Sequence, residues 1–307
     1  MTSPALTPDL FEPLLESQRQ GEAVIRPSRS YWQDARARFM RDPLAMLGLA
    51  AIIAITLFAV FGPILSAYSY DGQDIDIQNQ WPTAAHWFGT DKFGRDIYIR
   101  VLYGARISLS IGFVTAAINF VIGIVYGGIS GYFGGRVDMV LMRIVDILTG
   151  VPSLLYIILI MMFLGNTLQS ILIALCLTYW IGTARMVRSQ VLSLKNQEFA
   201  LAAQAIGSSD ARILFRHLIP NSMGPIIVTV TFLIPSAIFS EAFLSFLGIG
   251  IQVPMASWGT LASEAIPTIF SYPYQMLVPT LAISLTMFAF NFIGDGLRDA
   301  LDPRLKQ

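Results

Sequence analysis

The residues that could carry out bond chemistry are few and poorly placed for it. The chain has two histidines (His86 and His217), one cysteine (Cys176) and three lysines (Lys92, Lys195 and Lys306). No lysine follows a glycine, so the phosphate-loop pattern GxxxxGK[ST] is missing, as are the GxSxG and HExxH patterns of hydrolases. One cysteine excludes an intrachain disulfide and a multi-cysteine metal site. The sequence therefore predicts no catalytic residue, no metal site and no cofactor in this chain.

The composition is typical of a polytopic membrane protein. Of the 307 residues, 54% are hydrophobic and only 13% are charged, and the mean hydropathy is +0.61. Soluble domains contain about 25% charged residues. The net charge is zero, which gives no reason to expect a nucleic-acid partner. Residues 1–43 are polar and lack a cleavage pattern, so we expect the first apolar run to be retained as an anchor.

Long uncharged stretches predict six membrane-spanning helices. About 20 helical residues cross a hydrocarbon core of roughly 30 Å. The uncharged run between Asp146 and Arg185 is too long for one crossing, and Gly165–Asn166 divides it. The predicted fold class is an all-α polytopic membrane protein. Its predicted spans are 44–67, 107–131, about 140–165, about 168–187, about 223–248 and about 276–297.

The distribution of Lys and Arg predicts the orientation of the chain. Sixteen of the 20 lie in the N-terminal tail, the connection between spans two and three, the connection between spans four and five, and the C-terminus. The other four lie in one loop, residues 68–105. Cytoplasmic loops carry the excess of positive charge. We therefore expect residues 1–43, 198–221 and 299–307 in the cytoplasm, and loops 68–105 and 249–275 outside.

Residues 30–42 predict an amphipathic helix before the first span. Trp and Arg beside a span are typical interface anchors. An ordinary solvated helix is the alternative. The residues expected on the apolar face are Trp32, Ala35, Phe39 and Met40, and those opposite are Asp34, Arg38 and Arg41.

A polar stretch, EFALAAQAIGSSDARILFRHLIPN (198–221), separates spans four and five. Its first part favours an Ala-rich helix, and Gly207 can take a positive φ and turn the chain. Ser208 or Ser209 is expected to cap a second helix over 210–218. Pro220 is expected to mark the start of span five.

This stretch resembles the EAA loop in the membrane subunits of bacterial ABC importers, in which Glu-Ala-Ala is followed by a spaced Gly and a later Ile-x-Leu-Pro. Ala202, Ala203, Gly207 and Pro220 match that pattern. The chain departs from the pattern at three positions. Leu201 stands where the motif has Glu, His217 stands where it has Ile, and Ile219 stands where it has Leu. The resemblance implies that the loop couples to an ATPase through Glu198, Ala202, Ala203, Gly207, Asp210, Arg212, Arg216 and Pro220.

Further stretches resemble the oligopeptide and dipeptide permease family. They are YWQDARARFMRDP before span one, FGTDKFGRDIYIRVLYGARISL (88–109), SFLGIGIQVPMASWGTL (245–261) and FNFIGDGLRDALDPRLKQ (290–307). The resemblance implies a type I importer permease fold, with residues 44–67 as the first span and residues 106–298 as a five-span core. It places the chain in the bacterial inner membrane.

The partners implied by this resemblance are several. They are a homologous permease chain, two cytoplasmic ATPase subunits that bind ATP and Mg²⁺, a periplasmic or lipid-anchored peptide-binding protein, and the peptide itself. The long outer loops either contact the binding protein or only close the outer mouth. The residues expected to make such contacts are Asp91, Arg95, Asp96 and Trp258.

Two residues of span five are candidates for the transport path. Pro235 removes a backbone donor, so we expect a kink near residues 231–235 and assign it to the path lining. Glu241 lies ~28 Å along the span, near its outer end. An acid inside a membrane indicates function by default. It faces an aqueous cavity as an outer gate, or it forms a structural hydrogen bond.

Three other functions compete with peptide import through an ABC importer. A related importer of nickel or opines would share these patterns. A proton-coupled carrier acting alone should show acids at mid-membrane or inverted repeats, and neither signal is found. An intramembrane hydrolase would need a nucleophile and a base, and neither histidine lies in the middle of a span.

The predicted orientation can be tested with single cysteines in a Cys176→Ser chain. An impermeant thiol reagent added to intact cells should label Thr83→Cys and leave Ser209→Cys unlabelled, because sixteen of 20 positive charges predict that loop 198–221 is cytoplasmic. Permeabilised cells, in which both should react, provide the control. Labelling of Ser209→Cys but not of Thr83→Cys in intact cells would overturn the topology.

Overall fold

The computed structural model describes residues 30–252 and 254–302. The tail arginines before residue 30, and Arg304 and Lys306, which also entered the orientation argument, lie outside these residues. Short 3₁₀ turns occupy Ile75–Ile77 and Ile266–Thr268, and a π-helical segment occupies Ile213–Leu218. The α-helices are α1 (Tyr31–Phe39), α2 (Pro43–Leu65), α3 (Ile97–Phe133), α4 (Gly135–Thr149), α5 (Ser153–Leu164), α6 (Leu168–Leu194), α7 (Glu198–Ala205), α8 (Asp210–Arg212), α9 (Ile219–Phe246), α10 (Trp258–Glu264) and α11 (Tyr274–Leu301).

In the described part of the chain, five helices are long and apolar enough to cross a membrane, and a bent pair of helices, α4 and α5, makes a sixth span if it is counted as one. The five are α2, α3, α6, α11 and the continuous helical run Asp210–Phe246 that contains α8, the π-helical segment and α9. Many of their large apolar side chains face outward, as a lipid solvent allows. The predicted all-α polytopic fold is confirmed.

The third predicted span is not one helix. The axes of α4 and α5 differ by 80° across the break at residues 150–152. Pro152 lacks a backbone N–H and disfavours a helical conformation for Val151 before it. The span expected over about 140–165 is therefore formed by two helices and not by one, because Pro152 interrupts the apolar run.

The second span begins earlier than its charges suggested. α3 starts at Ile97, and the side chain of Asp96 accepts a hydrogen bond from the Ile99 N–H (2.9 Å) as its N-cap. Arg100 and Arg106 are inside this 37-residue helix. The outer loop after α2 therefore ends at Asp96 and not at residue 105.

Glycines on α3 bring it into close contact with α6. Gly123, Gly127 and Gly131 are spaced by four residues and face Thr183, Ala184 and Arg188. A Cβ atom at Gly127 would lie 2.2 Å from the Ala184 carbonyl oxygen. Small residues at this spacing allow membrane helices to approach backbone to backbone. The pair α3–α6 is therefore the tightly packed centre of the bundle.

The amphipathic helix α1 is attached to the end of α11. Ser30 and Gln33 form a capping box at its N-terminus, and the Tyr31 hydroxyl donates to the Leu301 carbonyl (2.7 Å). Burial raises the pKa of Tyr31 above its ordinary value, so its hydroxyl remains a donor. Ala35 is buried, whereas Trp32 is exposed. The predicted apolar face thus divides between contact with the chain and an exposed surface.

Candidate coupling site and outer charge cluster

The connection between α6 and α9 forms a compact turn followed by a helix. Gly207 has φ +76°, and no other atom lies near the position of an added Cβ. The Ser208 N–H donates to the Ala203 carbonyl (3.1 Å) and the Gly207 N–H to the Gln204 carbonyl (2.9 Å). These two bonds form a Schellman motif, which ends a helix with one residue in the left-handed conformation. Glycine is preferred at that position because it has no Cβ atom to clash with the backbone. The predicted turn at Gly207 is confirmed.

The second helix of this connection is not separate from span five. Asp210 begins a helical run that continues through the π-helical segment Ile213–Leu218 into α9. Ser209 occupies the N-cap position, but its side chain makes no capping hydrogen bond. The expectations of a serine side-chain cap and of Pro220 as a boundary were therefore wrong.

The π-helical segment explains how Pro220 fits inside a helix. In a regular α-helix its ring would clash with the carbonyl of Arg216, four residues earlier. Here the Ile219 N–H bonds to the Leu214 carbonyl, five residues back, which widens the turn just before the proline. Helix continuity is kept, and no hinge separates the connection from α9.

Tertiary contacts hold this connection against the inner ends of α3 and α6. The Tyr132 hydroxyl donates to Asp210 Oδ1 (2.7 Å). Lys195 Nζ donates to the Gly131 carbonyl (3.0 Å). Ile213, Leu214 and Leu218 are buried in a cluster with Val187 and Val191 of α6. The connection is thus anchored to α3 and α6.

The predicted coupling residues divide by exposure. Ala203 is buried and supports the turn. Exposed apolar neighbours include Leu201, Ile206 and Phe215. The mixture of exposed charge and exposed apolar surface suits protein docking better than contact with water alone. Apart from Ala203, all the residues predicted to couple to the ATPase are exposed; they are Glu198, Ala202, Gly207, Asp210, Arg212, Arg216 and Pro220.

On the opposite side, four charged residues form a cluster in which three are buried and Glu264 is partly exposed. Arg100 Nη1 lies 2.5 Å from Asp91 Oδ2 and 2.9 Å from Glu264 Oε2. Arg95 pairs with the same two carboxylates, each at 2.6 Å. Arg100 is fully buried. Two positive and two negative side chains thus neutralise one another and join the loop before α3 to α10.

The residues predicted to contact a binding protein lie inside the outer loops. Asp91, Arg95, Asp96 and Trp258 are all buried. Asp96 accepts from His86 Nδ1 at 2.8 Å when that nitrogen carries its proton, and Trp258 Nε1 donates to the Val101 carbonyl (3.0 Å). The expectation that these side chains themselves form the contact surface is corrected, because burial assigns them to the scaffold beneath it.

The two path candidates of span five are also buried. Glu241 accepts hydrogen bonds from Ser108 (3.1 Å) and Ser245 (2.8 Å) and is fully enclosed. Pro235 packs inside the chain, within a helix that runs unbroken from Ile219 to Phe246. Glu241 is therefore the structural hydrogen-bonding group of the two alternatives, and neither side chain faces an open path.

No metal-binding cluster occurs in the described part of the chain. Among residues 30–252 and 254–302, no three His, Cys, Asp or Glu side chains come together as a metal ion would require. His86 lies with the outer loops and His217 in the π-helical segment of the inner connection.

Similarity to known proteins defines the class. The fold resembles a chain of the MetNI methionine ABC transporter in its inward-facing conformation, with a TM-score of 0.51 at 17% identity, covering 65% of this chain and 94% of that one. A family model described as the inner membrane component of binding-protein-dependent transport systems matches residues 96–307. A second, the N-terminal TM domain of oligopeptide transport permease C, matches residues 30–82. The fold is that of an ABC importer permease.

Sequence relatives extend over almost the whole chain. The oligopeptide transport system permease protein OppC of Bacillus subtilis (strain 168) is 49% identical over 97% of this chain and 98% of its own length. The dipeptide transport system permease protein DppC of the same organism is 50% identical over 95% and 92%. OppC of Escherichia coli (strain K12) is 45% identical over 90% and 92%. The chain belongs to the family of inner membrane components of binding-protein-dependent transport systems.

The buried charge cluster predicts a large stability difference between two arginine substitutions. Arg100→Met leaves Asp91 and Glu264 with only Arg95 as a cation, and breaking a buried pair costs about 3–5 kcal/mol. The matched control is Arg185→Met, since the Arg185–Asp146 pair is exposed and such pairs contribute about 0–1 kcal/mol. The melting temperature of the purified complex should fall by roughly 6 °C or more in the first variant. Equal shifts in the two variants would contradict this account of the cluster.

Proposed function

We propose that this chain is a permease subunit of a peptide importer in the bacterial inner membrane, with both termini in the cytoplasm. With a homologous permease chain it forms the path for oligopeptides or dipeptides. Two partner ATPase subunits bind ATP and Mg²⁺ and hydrolyse ATP, while this chain binds no cofactor and catalyses no bond chemistry. A periplasmic or lipid-anchored binding protein delivers the peptide.

The observation that carries this proposal is the rigid, exposed connection at Glu198–Asn221. It presents charged and apolar side chains on the surface, and it continues without a helical break into α9. The chain has no phosphate loop of its own, so ATP as the energy source requires a partner subunit. A connection of this kind can dock on an ATPase and move α9 as a rigid body, which drives alternating access.

The names of the relatives support peptide over the other substrates considered. Relatives that are 49% and 50% identical are called oligopeptide and dipeptide permeases. The buried hydrogen bonds of Glu241 also weigh against a proton-coupled carrier, because this acid is enclosed by serine hydroxyls. Nickel or opine import remains the competing function within the family. Transport assays with a peptide, with nickel and with an opine distinguish these functions.

Gly207 provides the sharpest test of coupling. Gly207→Val places a β-branched residue at φ +76°, which costs about 1–3 kcal/mol of backbone strain. The matched control is Gly207→Asn, because Asn tolerates this conformation. In reconstituted complexes, peptide uptake and peptide-stimulated ATP hydrolysis should fall about fivefold or more in the Val variant and much less in the Asn variant.

A loss of activity in Gly207→Val indicates weakened coupling to the ATPase only if peptide capture and membrane insertion are unchanged. Peptide binding to the isolated binding protein and the amount of each variant in the membrane are measured in parallel. If Gly207→Val retains both transport activities within about twofold at matched levels, the loop does not transmit ATP energy and the proposed role fails.

A further inference from the structure

A cavity of about 850 Å³ lies between the broken third span, α6 and α9. Its volume is within the range of small-molecule binding pockets, about 300–1,000 Å³. We call it the interhelical cavity and define it by Ser153, Tyr156, Tyr179, Gly182 and Ser236. The two path candidates predicted from the sequence, Pro235 and Glu241, do not line it.

The cavity is at mid-membrane depth. Tyr179 follows the start of α6 by 11 residues, and Ser236 precedes the end of α9 by ten. At ~1.5 Å per residue, both lie roughly 15 Å from the outer ends of their helices. Polar side chains at this depth face the interior of a bundle or a water-filled space, because lipid offers them no hydrogen bonds.

The lining is mostly apolar, and apart from Arg185 most of its polar side chains carry neutral hydroxyl groups. The Tyr179 hydroxyl is paired with that of Ser240, and the Ser236 hydroxyl donates to the Phe232 carbonyl (2.9 Å), which leaves its oxygen free to accept. Among the lining residues, the one charged side chain is Arg185, and it is paired with Asp146 at 3.0 Å. Hydroxyl groups both donate and accept, so they match main-chain N–H and C=O groups without selecting a side-chain charge.

The break in the third span gives an independent indication. Val151 and Pro152, the non-helical residues of the 80° bend, border the cavity. Non-helical backbone at membrane depth is tolerated where it is buried in protein or lines a water-filled cavity. The location of this break is therefore that expected where protein or water, and not lipid, covers the backbone.

We propose that the interhelical cavity is part of the transport path and that it takes the main chain of the peptide through its hydroxyl groups. This inference rests on the proposed function. It assigns Tyr156, Tyr179 and Ser236 as neutral contacts and Gly182 as the open wall of the passage. No atom lies within 4 Å of a Cβ added at Gly182, so a large side chain there enters empty space without disturbing the helix.

A blocking substitution tests the passage directly. Gly182→Trp should reduce uptake of a tetra-alanine peptide by about tenfold or more in the reconstituted complex. Leu285→Trp is the matched control, because Leu285 is exposed at a similar distance into α11 and does not line the cavity. That control should import at the wild-type rate. Wild-type uptake by an assembled Gly182→Trp complex would overturn the inference.

Thiol labelling gives a second test that does not depend on the Trp variant assembling. In a Cys176→Ser complex in lipid nanodiscs, a charged, water-soluble thiol reagent should label Gly182→Cys and Ser236→Cys but not Leu285→Cys. Saturating tetra-alanine should slow labelling of the two cavity cysteines about threefold or more. Absence of labelling would mean that lipid or a partner chain fills the space, and labelling that the peptide does not slow would mean a hydrated cavity outside the path.

These outcomes separate the inference from the proposed function. If the wild-type complex imports tetra-alanine but the cavity cysteines are unprotected, only the location of the path is wrong. If the wild-type complex imports no peptide of any length, the proposed function fails first.

Discussion

One helical run, Asp210–Phe246, connects the exposed turn at Gly207 to the loop that follows α9. Its 37 residues span about 55 Å at ~1.5 Å per residue. Pro220 would interrupt it, and the π-helical segment before this proline preserves the rod. In the proposed mechanism, displacement of the connection at Glu198–Asn221 moves α9, and with it Glu241 and the wall of the interhelical cavity beside Ser236.

The rest of the bundle provides the fixed parts against which this rod can move. Close packing of α3 on α6 through Gly123, Gly127 and Gly131 leaves no space for sliding between those two helices. The buried cluster of Arg95, Arg100, Asp91 and Glu264 joins the outer loops into one unit. Fixed packing and a rigid rod together favour motion of whole groups of helices over local flexing.

The sequence predicted most of the fold because hydrophobic length is a strong signal of membrane-spanning helices. It also predicted the turn at Gly207, where only backbone conformation is at issue. It did not predict α3 starting at Ile97, because a charged residue such as Arg100 is typical of a loop unless it is neutralised, and one of its two partners, Glu264, is 164 residues away. The roles of Glu241 and Tyr132 likewise depend on partners about 80 to 130 residues away, which no local pattern reveals.

Site-specific photo-cross-linking is the most direct test that the inner loop meets the ATPase. A benzoylphenylalanine residue replaces Ile206, the exposed apolar side chain beside Gly207, and in a control it replaces Phe270, a fully exposed side chain of the outer loop. In assembled complexes that hydrolyse ATP, the probe at position 206 should form an adduct with a subunit that carries a phosphate loop, and the probe at 270 should not. An ATPase adduct from position 270, or none from position 206, would contradict the account.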